Sequence, residues 1–284
     1  MIERFSYSSL ESYKKCPTQF KLRYLDKIRN KDEGIEAFVG NRVHESLEFL
    51  YNEKLSGRMP FYDGLIENFH ENWKRNWHER IVIVRKELGY GKANWIRSLA
   101  GPWEVAREKK TVKEFFRLGE RCIAGFYRKF DPFDEPVIGT EVEFIFSIDE
   151  NNDYQMKGIA DRIDHDGNGN YIIHDYKTGK RLLSQSDADK DGQLATYQIA
   201  LARKYNNIKS VELKWHYLQH NKIVSSIRSD NEINQLKKSI KLKIDIIRDH
   251  INKDIEFKPK ESILCNWCYY WKECPAKSTI NDIL

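Results

Sequence analysis

Residues 158–179 read GIADRIDHDGNGNYIIHDYKTG, two candidate strands joined by a turn. Side chains of a strand alternate between its two faces, so Tyr171, Ile173, Asp175 and Lys177 share one face while Ile172, His174 and Tyr176 share the other. In the run before it, Ile159, Asp161 and Ile163 fall together on one side. Asp166-Gly167-Asn168-Gly169 supplies turn residues that fold the first run back beside the second as a hairpin. Two carboxylates, Asp161 and Asp175, then converge with the Lys177 ammonium. Carboxylate oxygens are hard donors suited to Mg²⁺ or Mn²⁺, and a lysine beside them can orient or help deprotonate an attacking water. The plain alternative is a strand-end salt bridge, which Asp and Lys two residues apart form in many charged chains.

On either side lie further candidates. In GTEVEFIFSID (139–149), Val142, Phe144, Phe146 and Ile148 make one apolar face while Glu141, Glu143 and Ile145 make the other, which predicts a strand buried on one side. After the hairpin, Gln193 and Tyr197 in GQLATYQIALA are four residues apart. They share a helical face that continues through Ala200, Leu201 and Lys204. Upstream, FVGNRVHESLEFL (38–50) carries His44 on an amphipathic helix, where a histidine is either a satisfied structural residue or a ligand.

The chain has five cysteines, an odd number that fits disulfide pairing poorly. Met1-Ile2-Glu3-Arg4-Phe5 lacks the apolar core of a signal peptide, and no run is long enough to span a bilayer, so an intracellular, cytoplasmic protein is expected. In a reducing compartment clustered cysteines more often bind metal than pair with one another. Cys265 and Cys268 have two residues between them, Cys268 and Cys274 five. Three such thiolates call for a fourth, and Cys16 is the candidate. Four soft thiolates suit Zn²⁺ or an iron–sulfur cluster equally, and spacing does not choose. Cys122 sits at helical spacing from Phe126 and reads as a small core residue.

Lys and Arg outnumber Asp and Glu by 48 to 43, a formal charge of +5, which is too small an excess to establish nucleic-acid binding by itself. Trp73, Trp77, Trp95 and Trp103 interleave with Lys74, Arg75, Arg80, Arg97, Arg107 and Lys109. Such aromatics either stack on unpaired bases or form the core of a helical region.

Taken together, GIADRID followed by IIHDYKTG resembles the core of the PD-(D/E)XK nucleases of the RecB and AddB type. The resemblance implies an α/β fold: a restriction-endonuclease-like core, with a mixed central sheet flanked by helices, a helical insertion, and a cysteine-ligated cluster joining the two chain ends. It implies an active centre of Asp161, Asp175 and Lys177, with Gln193 and Tyr197 as its Gln-x-x-x-Tyr element. His44 and the Tyr176 carbonyl become further metal ligands, and Glu141 is favoured over Glu143. It also implies a 4Fe–4S cluster on Cys16, Cys265, Cys268 and Cys274, and Mg²⁺ or Mn²⁺ at the acidic site.

The expected activity is metal-dependent hydrolysis of DNA phosphodiesters, on single strands or free ends, in repair, recombination, CRISPR adaptation or mobile-element replication. A helicase or a CRISPR adaptation partner is implied, and no membrane. No Gly-x-x-x-x-Gly-Lys-Ser/Thr loop is present, so no helicase motor is expected, and the chain looks closer to stand-alone members such as the CRISPR-associated Cas-four nucleases. The alternative is a catalytically silent DNA-binding subunit.

Along the chain, 1–30 reads as helical, with Ser8 and Glu11 forming a capping box for a helix from Ser9 and Pro17 opening a second helix after Cys16. Residues 38–135 read as a helical region broken near Gly57, Gly64, Gly91 and Gly101-Pro102. Strands begin at about 137, SVELKWHYLQ is a later strand, and 231–253 is a long charged helix. We expect a single nuclease unit over 1–284, with 1–30 plus 255–284 as the cluster module.

Overall fold

The computed structural model describes residues 2–59, 61–86 and 95–277. Ser6 opens the first helix, α1 (Tyr7–Lys15): its hydroxyl accepts the Ser9 N–H, and Ser9 Oγ accepts the Ser6 N–H. The start is therefore two residues earlier than expected. Glu11 does not close a box with Ser8 but pairs with Lys243 at 3.1 Å. Cys16 is the N-cap of α2 (Pro17–Phe20), with Pro17 in its first turn as expected, and a π-helical turn continues over Lys21–Leu25.

The region expected to be helical holds strands as well. β1 (Glu33–Gly34), α3 (Ile35–Leu55), α4 (Tyr62–Asn76), β2 (Ile81–Lys86), β3 (Trp95–Leu99), α5 (Trp103–Ala106) and α6 (Lys110–Phe130) follow in order. β1, β2 and β3 form a small sheet of their own. The β-branched run Ile81-Val82-Ile83-Val84 explains the correction, because stiff branched side chains favour the pleated surface. Gly64 lies inside α4 rather than at a break. The roughly 1 kcal/mol a helical glycine costs is outweighed there by the fully buried Leu65, Phe69 and Trp73. Gly57 and Gly101 do fall at element ends, and Gly91 lies outside the described residues.

β4 (Val137–Ser147), β5 (Gln155–His165), β6 (Asn170–Lys177), α7 (Gln185–Ala188), α8 (Gln193–Lys204), β7 (Ser210–Tyr217), β8 (Lys222–Ile227) and α9 (Asp230–Asn252) complete the order. The five strands pair in sequence order, β4 through β8. All neighbours are antiparallel except β6 and β7, whose parallel pairing requires a crossover, and α8 supplies it. The mixed sheet flanked by helices agrees with the expected restriction-endonuclease-like core. β8 was not anticipated, since Lys222, Ser225 and Ser226 interrupt its apolar alternation.

Two apolar clusters fix the sheet between helices. One joins Phe144, Ile163, Ile173 and Leu213 to α8 and to Ile240, Ile244 and Ile247 of α9. The other gathers Phe38, Val43 and Leu47 of α3 with Phe69, Trp73 and Phe126, and reaches the sheet through Tyr176. Trp73 is fully buried, and Trp77 and Trp103 pack against the same cluster, with Trp77 and Trp103 ring centroids 5.2 Å apart. These tryptophans are core rather than base-stacking platforms, and the Trp95 side chain lies outside the description. No helix among the described residues is long and apolar enough to cross a membrane.

Gly158 marks where α8 meets the sheet. A Cβ there would stand 2.3 Å from Tyr197 Cε1, so only glycine lets the ring lie on β5. Gly158→Ala is expected to cost about 1–3 kcal/mol of stability by overpacking, read as a lower urea midpoint. An unchanged midpoint would show that Tyr197 can move aside.

Candidate active site

The turn after β5 sets the register of everything that follows. Asp166 Oδ1 accepts the N–H groups of Asn168 at 2.7 Å and Asn170 at 3.1 Å, and its carboxyl is held down at about 2 by the Asn170 side chain and by these bonds. Gly167 and Gly169 take positive φ, as a turn of this kind needs. The ladder then pairs β5 with β6 as far as Arg162 and His174. One step further it opens, and Asp161 Oδ2 accepts the Tyr176 N–H at 2.6 Å in place of a backbone carbonyl. The alternation expected over Ile159, Asp161 and Ile163 does not hold through this opening: Ile159 is 45% exposed and Ile163 fully buried.

Asp175 and Lys177 leave the end of β6 on one face, as the sequence indicated. Lys177 Nζ lies 2.9 Å from Asp175 Oδ1 and 2.6 Å from Oδ2. Burial pushes the Asp175 carboxyl up to about 6, with Lys177 pulling it down and Asp161 adding to the rise. Burial alone would lower the Lys177 ammonium, but Asp175 and Asp161 raise it overall, so it stays charged. Asp175 Oδ2 is buried and makes no hydrogen bond of acceptable geometry.

α3 brings His44 to the same point. His44 Nδ1 is 3.6 Å from Asp161 Oδ2, and Nε2 donates to the Tyr176 carbonyl at 2.7 Å. Gly40, one turn earlier, leaves room for Thr178, whose Oγ1 would stand 3.1 Å from a Cβ there. From β4 comes Glu141, in the left-handed region at φ 44°, a conformation that costs a non-glycine residue on the order of 1 kcal/mol and turns its side chain inward. His44, Glu141 and Asp161 each offer a donor atom, all within 4.8 Å of one another. Glu143 is exposed, so the structure brings Glu141 and not Glu143 to this group. Burial raises the Glu141 carboxyl to about 7, helped by Asp161 and Glu48 and opposed by His44.

Gln193 and Tyr197 fall on α8 as expected. The Gln193 side chain bonds the Tyr197 hydroxyl, and burial, with the charges of Asp175 and Asp161, holds that phenol protonated. Tyr197 is buried against Gly158 and Phe144. Its ring lies against β4 and β5.

Behind β5 and β6 lies a network the sequence reading passed over. Arg162, Asp164, His174 and His216 are all buried; Asp164 bonds Arg162 and His174, and His174 Nδ1 lies 2.7 Å from His216 Nε2. Burial and the nearby cations hold both histidines neutral. Their alternation with Asp161 and Asp175 was the available signal. Asp191 was passed over too, although an Asp just ahead of a helical run marks its start.

The acidic groups give the site a pH signature. Glu141 and Asp175 hold protons more tightly folded than unfolded, so between roughly pH 4 and 7 the folded chain binds more protons, and their contribution to metal-free stability falls as pH rises. A divalent ion needs them ionised, so saturating Mg²⁺ is expected to stabilise the fold increasingly as pH rises through about 6 to 7. Denaturant midpoints with chelator and with Mg²⁺ check both signs; a Mg²⁺ increment independent of pH would contradict them.

The chain ends meet at a second candidate centre. Cys16, Cys265, Cys268 and Cys274 line one cavity of about 220 Å³, with Gln19 and Trp271 in its wall. Gln19 Nε2 donates to Cys268 Sγ at 3.5 Å, the Lys260 N–H to Cys16 Sγ at 3.4 Å and the Ser262 N–H to Cys265 Sγ at 3.4 Å. Thr18 bonds the Phe257 carbonyl at 2.5 Å, and Phe20 stacks on Phe257. Cys122 is buried elsewhere, its thiol pushed up to about 12 by burial, as expected of a core residue.

Comparison with known proteins bears on the whole chain. The family model described as the PD-(D/E)XK nuclease superfamily matches residues 4–275. No curated protein sequence matches. Among solved structures, one described as a "putative exonuclease" from Eubacterium rectale is similar at 12% identity, with TM-score 0.52, over 94% of this chain and 88% of that one. At that identity the likeness concerns the fold. A second, described as SSO0001, is 17% identical over 59% of this chain and 75% of that one, with TM-score 0.31.

Proposed function

The chain belongs to the PD-(D/E)XK nuclease superfamily, and from that premise we propose that it hydrolyses DNA phosphodiesters with Mg²⁺ or Mn²⁺, acting on single strands or free ends. The observation that carries this is the meeting of His44, Glu141 and Asp161, from a helix and two strands, beside the Asp175–Lys177 pair. The residues fit a hard cation: carboxylates, an imidazole and the Tyr176 carbonyl, with the Asp175 carboxylate buried beside them. Asp161, Asp175, Glu141, His44 and the Tyr176 carbonyl would hold it. When bound, the ion polarises the scissile phosphate and makes a bound water more acidic.

The chain's own groups do the rest. Lys177 orients the attacking water and stabilises charge growing on the phosphate. Gln193 and Tyr197 hold β5 and the end of β6 at fixed separation, and the dry Asp164–His174–His216 network keeps the strands from slipping.

For the cysteines the reading is a 4Fe–4S cluster that clamps residues 1–30 to 255–284. The four cysteines line one cavity between the chain ends, as such a group needs. The N–H donors at the sulfurs suit thiolate ligands of either kind.

Digestion of DNA labelled separately at each end, with Mg²⁺ or Mn²⁺, tests the activity. Progressive loss from one label is the expected result. Metal-independent background identical to that of Asp175→Ala would leave only the binding-subunit reading.

A further inference from the structure

Lys177 faces the carboxylates of Asp175, Asp161 and Asp191, and of these Asp191 lies outside the proposed metal-binding set. Beyond the end of β6 is a cavity of about 350 Å³, lined by Lys177, Asp187, Asp191, Trp215 and Tyr217 among others. Asp187 is exposed on the short α7. Asp191 is half-buried and held from two sides. Its Oδ1 accepts the Gln193 N–H at 2.9 Å, which caps α8, and its backbone carbonyl accepts Arg228 at 3.1 Å. Arg228 also bonds the Ala188 carbonyl at 2.5 Å, and Gln185 bonds the Ser225 carbonyl at 2.9 Å, so the whole segment is latched to β8.

Two cations reach the Asp191 carboxylate electrostatically, Lys177 and Arg228. Arg228 is already engaged with backbone carbonyls, with Ser226 and, at 3.9 Å, with Asp189. Of these two, Lys177 is the one that can turn toward Asp191 once its partner Asp175 is engaged elsewhere, and Asp191 is in turn among the charges that raise the Lys177 ammonium.

The ammonium sits 2.6 Å from Asp175 Oδ2. A divalent cation on that carboxylate would stand within a few ångströms of the ammonium, and like charges so close in a poorly solvated site repel strongly. The lysine has to give way, and its Cα is fixed in the strand, so only the side chain can turn. Resting on the metal-dependent nuclease reading, we propose that Asp191 is a positioning residue that receives the Lys177 ammonium when Asp175 is taken up by the divalent ion. The lysine is then kept beside the scissile phosphate instead of swinging into solvent. Metal binding and lysine placement become one coupled event, with α8 as the rigid support for the acceptor.

The test is a double-mutant cycle read by Mn²⁺ calorimetry on the full chain without DNA. Asp191→Asn keeps a capping side chain and removes the charge. It is expected to weaken Mn²⁺ binding about tenfold, within the usual range of a coupling between sites, and Asp191→Glu to restore most of it. In a Lys177→Ala background the same Asp191→Asn change is expected to have no effect, because no ammonium then competes for Asp175. Equal affinity in wild type and Asp191→Asn overturns the proposal. So does a tenfold loss that persists without Lys177, since that would be a capping effect. Should Asp191→Asn fold poorly, the Lys177 Nζ resonance of the wild-type chain serves instead: it is expected to shift with Mg²⁺ occupancy, and an unmoved resonance counts against the transfer. Absence of Mn²⁺ binding in every chain would instead bring down the metal-dependent nuclease reading itself, a different outcome from binding that ignores Asp191.

Discussion

Lys177→Ala is expected to lower the DNA cleavage rate about 10³-fold while leaving divalent-ion affinity unchanged or higher. The ammonium is in direct contact with Asp175, at 2.6 and 2.9 Å. A preorganised charged donor aimed at a developing anion is worth about 10²–10³ in rate when removed. The same ammonium competes with the metal for Asp175, so its loss does not weaken ion binding. Without metal the cost appears elsewhere: Asp175 is left buried and unpaired, its carboxyl rises further, and metal-free stability drops at neutral pH. Asp161→Ala and Asp175→Ala differ in kind, because each removes a ligand and should lose affinity and rate together. Single-turnover cleavage alongside Mn²⁺ calorimetry separates the two patterns. A Lys177→Ala rate within tenfold of wild type would remove the lysine from the chemistry.

Cys268→Ser is expected to abolish iron and acid-labile sulfide and to loosen both chain ends at once. Cys268 accepts from Gln19 of the amino-terminal helices, and burial together with the charges of Cys16, Cys265 and Cys274 raises its thiol, the mark of sulfurs crowded round one cavity. Bridging Cys16 to Cys265 closes a loop of most of the chain. By analogy with other crosslinks, a closure that long is worth on the order of 4 kcal/mol. Thermal melting should then show an early transition confined to the ends, ahead of the sheet. Metal analysis of the anaerobically purified wild-type chain decides the identity of the group, and one zinc with no sulfide would refute the cluster.

The hairpin, the α8 crossover and the alternation of Asp175 and Lys177 were all legible, because each follows from a local period: two along a strand, 3.6 along a helix. What escaped the sequence depends on departures from those periods. The inward turn of Glu141 comes from a left-handed φ that no side-chain pattern announces. The opening of the ladder at Asp161 depends on a side chain replacing a backbone acceptor. The small sheet of β1 to β3 was hidden by charged neighbours that suggested a helix, and of the two readings open for the tryptophans the packing of Phe38, Trp73, Trp77 and Trp103 on one another bears out the core. Asp191 is the instructive omission. Its helix-capping signal was readable, but its nearness to Lys177 depends on how the 179–191 segment folds back along β8.

The short turn between β5 and β6 limits how this gene can change in length. His174 points into a buried network and its neighbour Asp175 into the candidate metal site, so adjacent codons serve opposite environments. Deleting or inserting one residue within β6 exchanges the faces of every position on one side of the change, and either carries a carboxylate into the core or withdraws it from the ion. Changes of two residues keep the parity. Length variation among descendants of this sequence should therefore be common in the segment after Gly179, and in β6 should come in even steps where it comes at all.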